Sequence, residues 1–174
     1  MLRSLPAVLF LCCLGGPAGA LAAQPSEPTV VYLVRHAERL DDSADSPISA
    51  AGEARARLLA DMLRDAGLTH IHTTDLRRTR ATAAPVAALT RLTPTLYDVN
   101  DLAGLAARIG SAPGRHLVVG HSNTLRETIG ALGGEPGPEI APEEYDRLWV
   151  LTLTSTGTVT VLLRFGESYR GPAG

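Results

Sequence analysis

The chain has 174 residues with 18 acidic and 16 basic side chains, for a formal net charge of −2. That length fits one domain of ordinary size. The charge excludes partners that demand a surplus of cations, nucleic acid and anionic membrane surfaces among them. Every fixed cation is arginine and there is no lysine, so any anion site must be built from guanidinium, histidine and backbone N–H groups.

In chain order, the first stretch, MLRSLPAVLFLCCLGGPAGALAAQ, carries an early cation at Arg3 and an apolar run from Leu5 to Leu14. Small residues follow, and Ala20-Leu21-Ala22 fits an A-x-A cleavage site. The pattern predicts a secretory signal peptide over residues 1–23, cut after Ala22 or Ala23; the apolar run is too short for a comfortable membrane span. The remaining 24–174 is expected to be a secreted, periplasmic domain with no membrane association after cleavage. Cys12 and Cys13 leave with the signal, so stability must come from the core and not from a disulfide.

Thr29–Val34 reads as a buried strand. Ala37–Pro47 is a polar loop. Ser49 is placed to cap a helix over Ala50–Ala66, with Ala51, Leu58, Leu59, Met62, Leu63 and Ala66 at helical spacing and Gly67 at the end. Arg55, Arg57 and Arg64, with Glu53 and Asp61, read as its solvated face. Thr69–Thr73 is a second strand. Leu76–Leu89 is a helix that Pro85 should kink or break. Thr95–Tyr97 is a short strand, Leu102–Ile109 a helix, Leu117–Val119 a buried strand and Asn123–Leu132 a helix ended by Gly133-Gly134. A Pro/Gly-rich loop spans Gly134–Pro142. Leu148–Thr154 and Thr158–Arg164 form a hairpin across Ser155-Thr156-Gly157, and Gly166–Gly174 reads as a disordered tail. Strands alternate with helices, so the class is α/β, with a mostly parallel sheet and an antiparallel hairpin at one side.

Three polar clusters follow or precede these elements. The first strand runs into Arg35–His36 and a later one into Gly120–His121–Ser122–Asn123. Polar groups at strand ends are how an α/β protein builds a site at its sheet edge. A guanidinium beside His36 argues against a cationic metal and for an anion, whose oxygens match its planar fork. Gly120 lets the backbone turn or approach closely, and the helix start at Ser122 and Asn123 offers N–H groups to an anion. Arg77, Arg78 and Arg80 open another helix on different faces, and spacing alone leaves open which of them enters the site. His70 and His72 share one face of a strand, but no third metal ligand is evident near them in the sequence. His116 reads as a surface residue at a strand start, and Trp149 as core or sheet edge.

LVRHAE resembles the RHG/RHA signature of the histidine phosphatase superfamily. TTDLRRTRATA resembles its S-x-L-x-R-[AT]-x-[QE]-T-A element, and VVGHSNT its second-histidine motif; order and spacing also match. The resemblance implies a three-layer phosphoglycerate mutase-like fold, with helices on both sheet faces. It implies that His36 attacks phosphorus to form a phosphohistidine that water hydrolyses. Arg35, Arg78 and His121 would hold the phosphoryl oxygens, with Ser122 and Asn123 beside them, and no metal or other cofactor is implied. The match selects Arg78 among the three arginines. Asp98, in Leu96-Tyr97-Asp98, falls where the family carries an acidic proton donor, with Glu38 as a rival. Ala81 stands where the family has Gln or Glu, and Thr73 or Thr74 replaces its first Ser. The long insertions of the mutases are missing, which points to a small open phosphatase acting on a small phosphorylated substrate. Two other readings are a phosphohistidine protein phosphatase, which export disfavours, and a non-catalytic binder of a phosphorylated ligand, which the intact Arg35, His36, Arg78 and His121 disfavour.

Overall fold

The structure is a computed structural model that describes residues 28–171. The signal-peptide segment and the last three residues lie outside that range. Ten elements follow in order: β1 (Thr29–Arg35), α1 (Ala50–Met62), β2 (His70–Thr73), α2 (Arg77–Thr90), β3 (Thr95–Leu96), α3 (Leu102–Ser111), β4 (Arg115–Gly120), α4 (Ser122–Ala131), β5 (Arg147–Thr154) and β6 (Gly157–Arg164).

The six strands form one sheet in the order β3-β2-β4-β1-β5-β6. β3, β2, β4 and β1 are mutually parallel, while β5 and β6 run antiparallel. Side chains alternate across the pleat. Val31, Leu33 and Val118 face α3 and α4, packing with Leu105, Ile109, Leu125, Ile129 and Trp149. Val34, Leu117 and Val119 face α1 and α2, packing with Leu59, Leu63, Ala83 and Val86. Helices thus cover both faces of the parallel part, as the sequence predicts. No helix among the described residues is long and apolar enough to cross a membrane.

β1 and β4 are neighbours, with Arg35 paired to Gly120. The chain leaving β1 goes to α1 on one face, and the chain leaving β4 goes to α4 on the other. The two connections part, and a crevice opens between the strand ends.

Several elements differ from the sequence reading. α1 ends at Met62, four residues early, in a turn from Leu63; Gly67, at φ 64°, makes the reversal further on. Its buried face is rotated. Leu58 and Met62 are partly exposed, while Arg55, only 8% exposed, lies inside. The reason is a set of partners distant in sequence: Arg55 Nε donates to Glu38 Oε1 at 2.8 Å, Nη1 to Phe165 O at 2.6 Å and Nη2 to Glu167 O at 3.1 Å. Those bonds also hold the tail, with Tyr169 N–H donating to Asp146 Oδ2 at 3.0 Å, so the segment to Gly171 lies against the body instead of being disordered. Pro85 sits inside α2 without ending it. It removes one helical donor, but fully buried Ala83 and Val86 on either side anchor the helix to the core.

His116 is 1% exposed, not a surface residue. β2–β4 pairing sets it opposite His70. The three rings of His70, His72 and His116 lie nearly parallel, with the His70 and His116 centroids 4.4 Å apart. His116 Nε2 must donate to Ala112 O at 2.8 Å, so its Nδ1 accepts from His72 Nε2 at 3.1 Å. Stacked rings do not converge on a point, and among the described residues no group of His, Cys, Asp or Glu is arranged to hold a metal ion.

The loop before β5 is fixed by a buried ion network. Arg147 makes a bidentate pair with Glu144, at 2.7 and 2.8 Å. Arg164 Nη1 bonds both Glu144 Oε1 and Asp146 Oδ1 at 2.6 Å. Removing one partner of a buried pair strands the other. Glu144→Ala is therefore expected to destabilise the fold by about 3 kcal/mol or more, measured as a drop in the urea midpoint, whereas Glu53→Ala on the exposed face of α1 should change it by less than about 0.5 kcal/mol.

Candidate active site

The last ladder position of β1 is Arg35, and His36 N–H continues the ladder by donating to Gly120 O at 2.9 Å. His36 and His121 therefore leave adjacent parallel strands at the same level. Their ring centroids lie 5.4 Å apart, tilted by 58°. Gly120 contributes by lacking a side chain: a Cβ there would sit 3.0 Å from the Tyr97 hydroxyl and 3.1 Å from Leu125.

His36 is buried. Its Nδ1 lies 2.8 Å from Ala37 O. A carbonyl can only accept, so Nδ1 carries the proton and Nε2 presents a lone pair. Burial pushes the His36 pKa down to about 3, and the charges of Arg35 and Arg78 push the same way. The ring is neutral at neutral pH, with its nucleophilic nitrogen free of any proton.

His121 is held through threonines. Thr79 Oγ1 points its hydrogen at the carbonyls of Thr74 and Leu76, 3.0 and 2.9 Å away. It must therefore accept from Thr74 Oγ1 at 2.9 Å, and Thr74 in turn accepts from His121 Nε2 at 3.1 Å. The His121 ring is thereby a donor at Nε2. Burial lowers its pKa to about 4, with Arg78 and Arg35 contributing. Of the two threonines it is Thr74 whose hydroxyl reaches His121, while Thr73 Oγ1 is buried without a partner among the described residues.

Arg35 is buried beneath a loop that the sequence reading did not connect to it. Its Nη1 donates to Ala141 O, Pro142 O and Glu144 O at 3.0, 2.7 and 3.1 Å, and its Cζ lies 4.1 Å from the Tyr145 ring centroid. Its Nε is buried with no partner among the described residues. One edge of the guanidinium is thus fixed by the protein, and a donor on it is left for an anion. The carbonyl cradle had only a faint signal in sequence, the charge-dense EEYDR directly ahead of a strand.

Arg77 and Arg80 are exposed, Arg80 pairing with Asp75. Arg78 is half-buried, donates from Nη1 to Ala44 O at 2.8 Å, and leaves a buried, unpartnered Nε. Thr82, one turn on, accepts from Ala37 N–H at 2.9 Å and donates to Arg78 O at 2.7 Å. That hydroxyl ties the start of α2 to the residue after His36.

Ser122 is half-buried and Asn123 exposed at the first turn of α4, next to His121. Asp98 is exposed. Its Oδ1 accepts from Asn100 N–H and Nδ2 at 2.9 and 3.0 Å, and it shares a cleft with Thr74. Glu38 is paired with the buried Arg55 at 2.8 Å.

Two buried histidines that burial holds neutral, two arginines with buried, unpartnered Nε donors and a helix start gather at one edge of an α/β sheet, an arrangement with the donors to hold an anion. Residues 31–106 match the model of the histidine phosphatase superfamily (branch 1). The match contains Arg35, His36, Arg78 and Asp98. Among curated relatives, a probable phosphoglycerate mutase GpmB from Serratia proteamaculans is 47% identical over 64 residues, covering 33% of this chain and 30% of the mutase. The chain thus aligns with under a third of the length of that relative. Among solved structures, a putative alpha-ribazole-5'-P phosphatase from Escherichia coli superposes with TM-score 0.65 at 16% identity, over 79% of this chain and 97% of that one. A putative phosphohistidine phosphatase SixA from Agrobacterium tumefaciens does so with TM-score 0.61 at 24% identity, over 79% and 99%. These superpositions establish a shared fold.

The neutral histidines have a cost in acid. Burial lowers His36 to about 3, His72 and His121 to about 4, and lowers His116, from a normal 6.5. Above that value neither the folded nor the unfolded chain holds the protons. Below it the unfolded chain binds protons that the folded chain refuses, so stability falls with pH, by up to about 1.4 kcal/mol per pH unit for each histidine. Carboxylates are still ionised in both states above about pH 5. The urea midpoint should therefore drop between pH 6.5 and 5, and His72→Leu should flatten the drop. A midpoint constant across that window would contradict the assignment.

Proposed function

We propose that the protein is a phosphatase that cleaves phosphomonoesters through a phosphohistidine on His36, with no metal required for charge stabilisation. The observation that carries this reading is the Nε2 lone pair of neutral His36, fixed by Nδ1–H to Ala37 O beside Arg35, Arg78 and His121. Nε2 attacks phosphorus and the ester P–O bond breaks. The departing oxygen takes a proton from Asp98 in its acid form. Water then attacks phosphorus, the P–N bond breaks, Asp98 takes back a proton and Nε2 recovers its lone pair. Arg35 Nε, Arg78 Nε and His121 Nε2–H stabilise the phosphoryl oxygens in both steps. In the free protein Thr74 receives the His121 hydrogen that a phosphoryl oxygen would take. Ser122 and Asn123 supply first-turn N–H groups of α4. Residues 1–23 would direct export, placing the substrate outside the cytoplasm.

Two sets of measurements test this. His36→Ala is expected to abolish turnover of an aryl phosphate with the fold retained, and labelled substrate should trap an acid-labile, base-stable phosphoenzyme in the unmodified protein. Arg78→Ala should reduce kcat/KM by about a hundredfold or more, while Arg77→Ala and Arg80→Ala change it little. An active His36→Ala or an acid-stable label refutes the mechanism.

The acid is tested by leaving group. An activated aryl oxide departs without a proton, whereas an alkoxide needs one. Asp98→Asn is expected to slow an alkyl phosphate by about a hundredfold and leave nitrophenyl phosphate almost unchanged. If Glu38→Gln shows that pattern in its place, the donor is Glu38.

A further inference from the structure

The phosphoryl pocket does not say which alcohol departs, but its surroundings do. A cleft of about 540 Å³ begins at Thr74. Thr74 Oγ1 is 3.1 Å from His121 Nε2, so the inner end of this cleft starts where the phosphoryl pocket stops. Asp98, the proposed proton donor, stands on its wall. A leaving oxygen protonated by Asp98 must have its carbon chain on this side.

The walls are Leu76, Leu96, Tyr97 and Val99. Leu96 and Val99 are 45% and 36% exposed, apolar surface left facing the opening. The charged groups lining the cleft are Asp75 and Asp98, and no arginine lines it. The nearby Arg80 is already paired with Asp75. A leaving group with a carboxylate or a second phosphate would meet the Asp98 carboxylate with no cation among the lining residues to offset it, at a repulsive cost that water only partly screens. A second cleft, lined by Tyr145, whose ring centroid lies 6.0 Å from that of His36, is of opposite character, with Glu38, Arg55, Glu143 and Arg170 on its walls.

We infer that the Thr74–Val99 cleft is the leaving-group subsite and that it selects phosphomonoesters of uncharged, largely apolar alcohols. This rests on the phosphatase reading and on Asp98 as its acid. Each methylene buried against such walls is worth about three- to fourfold in binding, so kcat/KM should climb by about that factor per carbon until the cleft is full.

The experiment uses methyl, butyl and hexyl phosphate together with the carboxylate-bearing ester 3-phosphoglycerate. Expected are a rising series for the alkyl esters and hexyl phosphate well above 3-phosphoglycerate. Leu96→Ser should flatten the series. Val99→Arg should shift the ratio of hexyl phosphate to 3-phosphoglycerate by tenfold or more towards the acid. Turnover with no chain-length dependence overturns the inference, as does a preference for 3-phosphoglycerate or for aminoethyl phosphate, which would move the leaving group to the charged cleft. If no ester turns over, the phosphatase reading fails by itself. Calorimetric binding of methyl- and hexylphosphonate then still decides the subsite: tighter binding of the longer chain supports it and equal binding overturns it.

Discussion

The register between β1 and β4 is the constraint on which the site depends. Arg35 faces Gly120 across the ladder, and one more backbone bond, from His36 N–H to Gly120 O, brings the two histidines out side by side. A slip by one residue would turn Arg35 to the opposite sheet face and separate the rings. The register is held because both strands are buried on both faces. Val31 and Leu33 meet one helix layer, and Val34 with Leu117 and Val119 meets the other. The hydrophobic core therefore sets the geometry of the site as well as stability.

Placing two arginines beside two buried histidines would be costly if all four were charged. Burial settles the matter by keeping the histidines neutral, and the arginines find partial compensation in carbonyl oxygens: Arg35 in those of residues 141, 142 and 144, Arg78 in that of Ala44. A carbonyl dipole satisfies a donor without cancelling the cation, so the positive field remains available to an anion. The Glu144–Arg147–Arg164–Asp146 network holds the first of these carbonyl sets in place. The loop it fixes is long in sequence and rigid where it meets Arg35.

What could be read from the sequence was whatever depends on neighbours close in the chain. The strands ending in Arg35 and Gly120, the Ser49 cap and the hairpin across Ser155–Thr156 are encoded locally. What could not be read depends on partners far away. Arg55 sits amid polar residues and looks solvated until Glu38 and the carbonyls of Phe165 and Glu167 come together around it. His116 looks like a strand-edge residue until β2 places His72 against it. The carbonyl cradle of Arg35 is invisible in principle, since backbone oxygens carry no sequence identity; only the positions of Glu144 and Arg147, which fix it, are encoded.

The placement of β1 also governs how the chain assembles. The earliest strand of the sheet lies between β4 and β5, whose residues come more than 80 positions later. Until those strands exist, the strand that carries His36 has no hydrogen-bonding neighbour, and the bond from Arg55 to the carbonyl of Glu167 waits for the tail. Local hairpin closure cannot start this sheet at its N-terminal end. Pairings so distant in sequence slow folding, and His36 and His121 come side by side only once β1 and β4 have paired.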